Sequence, residues 1–76
     1  EQQWLGSVRE RLVHRALQRL SDINKEIILL KDIQGLPLEQ IADLLDVPLG
    51  TVKSRTSRAR LELARAINEL EAEAAT

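Results

Sequence analysis

The chain has 76 residues, 43% of them hydrophobic, with 11 Lys or Arg, 12 Asp or Glu, one aromatic residue and no cysteine. This length predicts one domain and excludes two, because folding units usually hold about 50–200 residues, and the lack of cysteine excludes a disulfide framework and a thiolate metal site. No apolar run is longer than Ile27 to Leu30, which excludes a membrane-spanning helix of about 18 apolar residues and predicts a soluble protein.

Apolar residues recur every three or four positions, and this spacing predicts an all-α fold of four helices. The first helix is expected over about 8–20, where Ser7 would be the N-cap and Glu10, three residues later, would complete a capping box. Because the sequence begins with Glu1 rather than Met, we expect residues 1–7 to be a linker remnant from a longer protein. Trp4 fits either that linker or a plug over the core.

The second helix is expected over about 23–34, after a start signal at Ser21 or Asp22. It should end before Gly35, a residue suited to the left-handed conformation that closes many helices. Ile28 and Leu29 are also apolar and are expected to widen the apolar surface of this helix beyond one stripe. The stripe expected to face the core comprises Ile23, Ile27, Leu30 and Ile33.

A short third helix over about 38–45 and a long fourth helix over about 49–70 are predicted to flank a turn at Asp46, Val47 and Pro48. Together they form a helix-turn-helix. The turn favours a left-handed backbone, which glycine adopts most easily and which Asp46 tolerates better than most residues. The acidic, alanine-rich segment 71–76 is expected to fray.

At about 100° per residue, the fourth helix has one apolar face and one polar face. The polar face has small residues along its middle, Gly50, Ser54 and Ser57, and basic residues toward its edges. Such a face fits a DNA groove, because short side chains let the backbone approach while Arg and Lys reach phosphates on either wall. The face expected to be buried comprises Val52, Thr56, Ala59, Leu63, Ala66, Ile67 and Leu70.

The formal net charge of −1 conceals a basic segment. Residues 48–65 carry five basic side chains against Glu62 alone, whereas residues 66–76 carry three glutamates and no base. Attraction to phosphate depends on the charge within about one Debye length, roughly 8–10 Å, so the local excess predicts a nucleic-acid partner despite the acidic average. A solvated helix face is the alternative interpretation of the same charges.

A short helix, a tight turn and a longer helix with a basic first half are typical of a helix-turn-helix that reads the DNA major groove. Ala42 is the small residue that would let the two helices cross closely. Any helical hairpin produces a similar apolar pattern, so the basic face is what favours DNA. The small core between the two helices is expected to comprise Ile41, Leu45, Val47 and Val52.

The most specific stretches are Gly35-Leu-Pro-Leu-Glu-Gln-Ile-Ala42, Val47-Pro-Leu-Gly-Thr-Val-Lys-Ser-Arg55 and Ser57-Arg-Ala-Arg60. With the apolar residues before them, they resemble region 4 of the sigma-70 family, most closely the extracytoplasmic-function (ECF) group. The resemblance covers about residues 10–70. The chain departs from the family at Asp46, where glycine is common, and at Thr56, where a large apolar residue is common.

The resemblance implies a bacterial, cytoplasmic promoter-recognition module. It would bind the −35 element of double-stranded promoter DNA while docking on the β-subunit flap of RNA polymerase core, and the family also allows an anti-sigma factor as a partner. Carried over position by position, the resemblance assigns base reading to Lys53, Ser54, Ser57 and Arg58, and phosphate contacts to Thr51, Arg55 and Arg60.

The sequence gives no sign of catalysis or of a cofactor. No serine is matched with a base and an orienting acid, no glycine-rich phosphate loop is present, and His14 has no second His or Cys with which to bind a metal. We therefore predict a non-enzymatic domain without metal, cofactor or small-molecule substrate. Two alternatives stay open: the output domain of a response regulator, and a helical protein-interaction module. Apolar residues expected to suit a protein interface are Ile28, Leu29, Leu61 and Ala64.

Overall fold

The computed structural model of the chain describes residues 8–75. These residues form four helices and no strand, which confirms the all-α prediction. The predicted N-cap Ser7 and the side chain of Trp4 lie outside the described residues. The helices are α1 (Val8–Gln18), α2 (Asp22–Ile28, continued by a π-helix over Leu29–Ile33), α3 (Leu38–Leu45) and α4 (Leu49–Ala75).

The core lies where α1, α2 and α3 each pack against α4. Ile27 from α2, Ile41 from α3 and Val52 from α4 are fully buried in one continuous cluster. Burying such a side chain stabilises a fold by about 1.5–3 kcal/mol relative to leaving it in water. The position of this cluster therefore decides which face of α4 is hidden and which is offered to a partner.

Both ends of the second helical segment follow the sequence signals. Ser21 is the N-cap of α2, and its Oγ accepts a hydrogen bond from the Asn24 backbone N at 3.3 Å, which satisfies one of the donors left open at a helix start. At the other end Gly35 has a φ of +76°, the left-handed conformation predicted for it. The Leu36 backbone N then donates to the Leu30 carbonyl at 3.0 Å, so the chain leaves the π-helix in a defined direction.

The predicted inner stripe of α2 is only partly correct. Ile27 is buried and Leu30 is half-buried, but Ile23 and Ile33 are 54% and 59% exposed. Ile23 lies in the first turn, and because helical side chains tilt toward the N-terminus, it points past the end of the helix. Ile33 lies in the π-helix, at the edge of an open groove between α1 and α2.

Ile28, predicted as a surface residue for protein contacts, belongs to the core instead, with 1% of its surface exposed. The reason is the width of the buried face. The α2 helix packs against α4 while its π-helical continuation packs against α3, so adjacent positions on the helix are both covered. Ile27 and Ile28 are therefore buried together.

The fourth helix continues to Ala75, beyond the predicted end at 70, so the segment expected to fray is helical as far as it is described. An ion pair ties its last turns to the end of α1. Arg19 donates from Nη1 and Nη2 to the two carboxylate oxygens of Glu73 at 3.0 and 2.9 Å, and Glu69 lies 3.7 Å from the same guanidinium. These hydrogen bonds from Arg19 lower the pKa of Glu73.

Replacing Glu73 by Gln should destabilise the fold slightly at neutral pH and leave its stability unchanged in acid. Because the pKa of Glu73 is held below its ordinary value of 4.5, the charged carboxylate stabilises the folded state above that value. This contribution is lost as the pH falls through the depressed pKa. Thermal unfolding is followed by circular dichroism at neutral pH and again in acid, below the depressed pKa of Glu73. The expected loss of stability at neutral pH is small because the side chains of Arg19 and Glu73 are both exposed.

The control for this measurement is Glu71→Gln, which removes an exposed carboxylate from the same end of α4. It should shift the unfolding temperature equally little at both pH values. A Glu73→Gln deficit that persists unchanged in acid would contradict a stabilising ion pair with Arg19.

Candidate nucleic-acid interface

The turn between α3 and α4 fixes the start of α4. Asp46 has φ 57° and ψ 49°, the left-handed conformation predicted for this position. The Val47 backbone N donates to the Ala42 carbonyl at 3.1 Å, and the Pro48 carbonyl accepts from the backbone N of Thr51 and of Val52 at 3.0 and 3.2 Å. The short α3, this turn and the first turn of α4 therefore form one hydrogen-bonded helix-turn-helix.

The buried face of α4 follows the predicted register. Thr56 is accommodated there because its Oγ1 donates to the Val52 carbonyl at 2.8 Å, which leaves no unsatisfied hydroxyl in the core. The α4 face opposite is thereby turned to solvent. All residues predicted for the hidden face are buried or half-buried: Val52, Thr56, Ala59, Leu63, Ala66, Ile67 and Leu70.

The four residues predicted to read bases lie together on the solvent side of the first half of α4. Lys53, Ser54, Ser57 and Arg58 are all exposed. Within residues 8–75, no ion pair or side-chain hydrogen bond engages any of the four. Their donors and acceptors are therefore available to a partner, and Gly50 one turn earlier leaves the backbone uncovered beside them.

The predicted phosphate-contacting residues lie toward the edges of this face. Thr51 and Arg55 are half-buried and Arg60 is exposed. Arg60 also pairs with Asp32 of the π-helix, and the hydrogen bonds that it donates to this carboxylate raise the pKa of Arg60 above its ordinary value. Asp32 was not predicted as part of this site, since nothing in the sequence pattern links two opposite charges so far apart in the chain.

The remaining residues predicted to suit a protein interface lie in two places. Leu61 and Ala64 are exposed on α4, as predicted. Leu29 is exposed as well, and it lines an open groove of about 680 Å³ between α1 and the second helical segment. No residue of α4 lines this groove. Its lining includes the apolar residues Val13, Leu17, Leu29 and Ile33, with Arg9, Glu10, Lys25 and Asp32 among the charged residues.

Residues 8–75 offer little support for a metal site or for a membrane-spanning helix. No group of three or more His, Cys, Asp or Glu side chains in this part of the chain is arranged to hold a metal ion. None of its helices has both the length and the apolar character needed to cross a membrane. His14 is exposed on α1.

The family model described as "Sigma-70, region 4" matches residues 10–63 of the chain. This range contains α3, the turn, the first half of α4 and the entire candidate interface. The chain belongs to the sigma-70 region 4 family. This match confirms the family that was predicted from the sequence. Neither the response-regulator alternative nor the interaction-module alternative receives support from these matches.

Individual relatives of this region 4 domain are bacterial sigma factors. An ECF RNA polymerase sigma-E factor of Haemophilus influenzae is 42% identical over 60 residues, covering 79% of this chain and 32% of the relative. An RNA polymerase sigma-H factor of Pseudomonas aeruginosa is 37% identical over 65 residues, covering 86% and 34%. The chain thus spans about a third of the length of these relatives. No solved structure matches the region 4 domain significantly.

Proposed function

We propose that this region 4 domain recognises the −35 element of bacterial promoters as part of a sigma factor that directs RNA polymerase to initiate transcription. The observation that carries this proposal is the face of α4 formed by Lys53, Ser54, Ser57 and Arg58. It is exposed, basic and unpaired within the described residues, and it belongs to the second helix of a helix-turn-helix. That helix is the one that enters the major groove in such motifs.

Within this face the residue types suit reading base edges. The Arg58 guanidinium matches O6 and N7 of guanine as a bidentate donor, which is the commonest specific contact in the major groove. Lys53 donates to the same kind of acceptor, and the hydroxyls of Ser54 and Ser57 both donate and accept. The side chains of the two serines are also short, so the helix backbone can approach the bases at the centre of the face.

The edges of the face suit the phosphates. Thr51 and Arg55 flank the base-reading residues, and Arg60 lies further along the helix. At the start of α4 the first backbone N–H groups and the positive end of the helix dipole add a favourable site for a phosphate. Gly50 assists there, because it carries no side chain that would hold the backbone away from the DNA.

The test of this function is selection of bound duplexes from a random library by the chain itself, at low ionic strength, followed by sequencing. We expect enrichment of one short motif, and loss of that motif when the same selection is run with a chain carrying Lys53→Ala and Arg58→Ala. Failure of the unmodified chain to enrich any motif, under conditions where it is folded, would contradict promoter recognition.

For the protein partner we propose that the groove between α1 and α2 docks on the flap of the RNA polymerase β subunit, and that an anti-sigma factor can cover the same surfaces. Most of the exposed lining of the groove is apolar, the groove is open, and no residue of α4 lines it, so its occupation leaves Lys53, Ser54, Ser57 and Arg58 free. An apolar groove with charged residues at its rim suits an amphipathic segment of a partner.

Ile33→Glu is expected to abolish capture of an isolated β-flap segment by the chain, because it places a charge on the apolar wall of the groove. Ile23→Glu is the matched control, since Ile23 is similarly exposed on the same helix but does not line the groove. A pull-down of the flap segment with both variants measures the difference. Equal capture by the two variants would remove the groove as the docking site.

A further inference from the structure

An ion pair joins the π-helical end of α2 to the recognition helix α4. Arg60 Nε donates to Asp32 Oδ2 at 3.1 Å, and Arg60 Nη2 donates to Asp32 Oδ1 at 2.6 Å. Each carboxylate oxygen accepts one hydrogen bond, so the contact is bidentate. A bidentate contact fixes the plane of the guanidinium as well as its position.

The contact uses only one edge of the guanidinium. Arg carries five N–H donors, of which one on Nε and one on Nη2 are directed to Asp32. The two donors on Nη1 and the second donor on Nη2 form the outer edge. The Arg60 side chain is 53% exposed and that of Asp32 is 34% exposed, so the guanidinium is more open to a partner than the carboxylate that holds it.

The place of Arg60 on α4 connects this geometry with DNA. Arg60 follows Lys53 by seven residues, which places the two side chains about 20° apart around the helix axis and two turns apart along it. They therefore share one edge of the polar face. This is the edge to which the proposed function assigns a phosphate contact by Arg60.

We propose that Asp32 is a positioning residue for DNA binding, which holds the Arg60 guanidinium so that its outer edge meets a phosphate of the DNA backbone. The proposal rests on the proposed function of the domain. Asp32 itself does not contact the DNA. Its effect on binding is transmitted entirely through Arg60, and it is independent of base sequence because a phosphate carries no sequence information.

Two effects of Asp32 on phosphate binding oppose each other. Its negative charge repels the phosphate, and a phosphate on the other edge of the same guanidinium lies within a Debye length of about 8 Å, where salt screens little, but the charge of Asp32 is already paired with Arg60. Its hydrogen bonds restrict a long side chain that would otherwise lose rotamer freedom on binding. Because the charge of Asp32 is paired with Arg60 and the ordering of Arg60 is already complete before binding, we expect positioning to outweigh repulsion.

The test is a double-mutant cycle in which the chain binds a short duplex of random sequence at physiological ionic strength, measured by fluorescence anisotropy. Asp32→Asn should weaken binding by about two- to tenfold, the range expected for one restrained side chain. In the Arg60→Ala background the same change should have no effect. Asp32→Glu, which keeps the carboxylate, should restore much of the lost affinity.

Glu73→Gln is the matched control for charge. It also removes one carboxylate from a bidentate ion pair with an arginine, but at the far end of α4. A general gain in attraction to DNA from the lost negative charge would appear in both variants, whereas loss of binding should appear with Asp32→Asn alone. Circular dichroism confirms that each variant is folded at the temperature of the binding measurement.

Each outcome decides the matter. Unchanged or tighter binding by Asp32→Asn would show that Asp32 does not position Arg60 for a phosphate, and an equal loss with and without Arg60 would show a structural role. Either result overturns the positioning role while leaving the proposed function intact. Failure of the unmodified chain to bind any duplex would instead contradict the proposed function, and the positioning role with it.

Discussion

Ile27→Ala should lower the free energy of unfolding by about 2–5 kcal/mol, the usual range for truncating a buried isoleucine. Ile27 is fully buried between the helices that pack on α4. A domain of this length is expected to have a total stability of only about 4–11 kcal/mol, at roughly 0.05–0.15 kcal/mol per residue. One substitution therefore removes a large share of the stability, and urea denaturation followed by circular dichroism measures the loss.

The matched control is Ile23→Ala, one helical turn earlier on α2. The apolar spacing alone treats these two isoleucines as equivalent, but Ile23 is 54% exposed, so its truncation should cost about 0.5 kcal/mol or less. Ile27→Val, expected to cost about 0.5–1.5 kcal/mol, keeps the comparison measurable if the alanine variant does not fold. Similar losses for Ile23→Ala and Ile27→Ala would contradict the packing of α2 described above.

Arg58→Ala is expected to change which duplexes the chain prefers, because it removes a bidentate donor from the centre of the base-reading face. The expected loss is about 1–3 kcal/mol of discrimination at one base pair of the site. Duplexes with any other base at that position should be bound almost as before. Affinities for a selected duplex and its single-base variants, measured for both chains at one fixed salt concentration, give the discrimination directly.

Arg65→Ala is the control for Arg58→Ala. It removes the same charge from the solvent side of α4, but about two turns further along, beyond the expected DNA footprint. It should weaken all duplexes slightly and equally through the loss of one positive charge. An equal loss on all sequences for Arg58→Ala as well would assign Arg58 to a phosphate and end its base-reading role.

The sequence was most informative about the helix-turn-helix. Both boundaries of α3, the start of α4 and the left-handed Asp46 could be predicted because local signals determine them: a proline before each helix, a residue tolerant of positive φ, and an uninterrupted apolar register. The buried face of α4 follows from that register alone. The same register exposes Ser54, Ser57 and Arg58, so most of the candidate interface is a consequence of the pattern.

The second helical segment was predicted less well, because its surroundings decide which residues are hidden. Spacing assigned Ile23 and Ile33 to the core and left Ile28 outside, whereas in the folded chain Ile28 is buried and the other two are exposed. No sequence signal marked the π-helix at Leu29–Ile33. The pairing of Asp32 with Arg60 depends on that tertiary arrangement, so it was beyond local reasoning.

The contact on which the proposed function depends is that between DNA and the solvent face of the first half of α4. It is tested most directly by recording amide chemical shifts of the isotope-labelled chain while the selected duplex is added. The largest changes should fall on residues 50–58 and at Arg60, with little change along the α1 wall of the groove between α1 and α2. Changes concentrated in that groove, with residues 50–58 unaffected, would contradict the account.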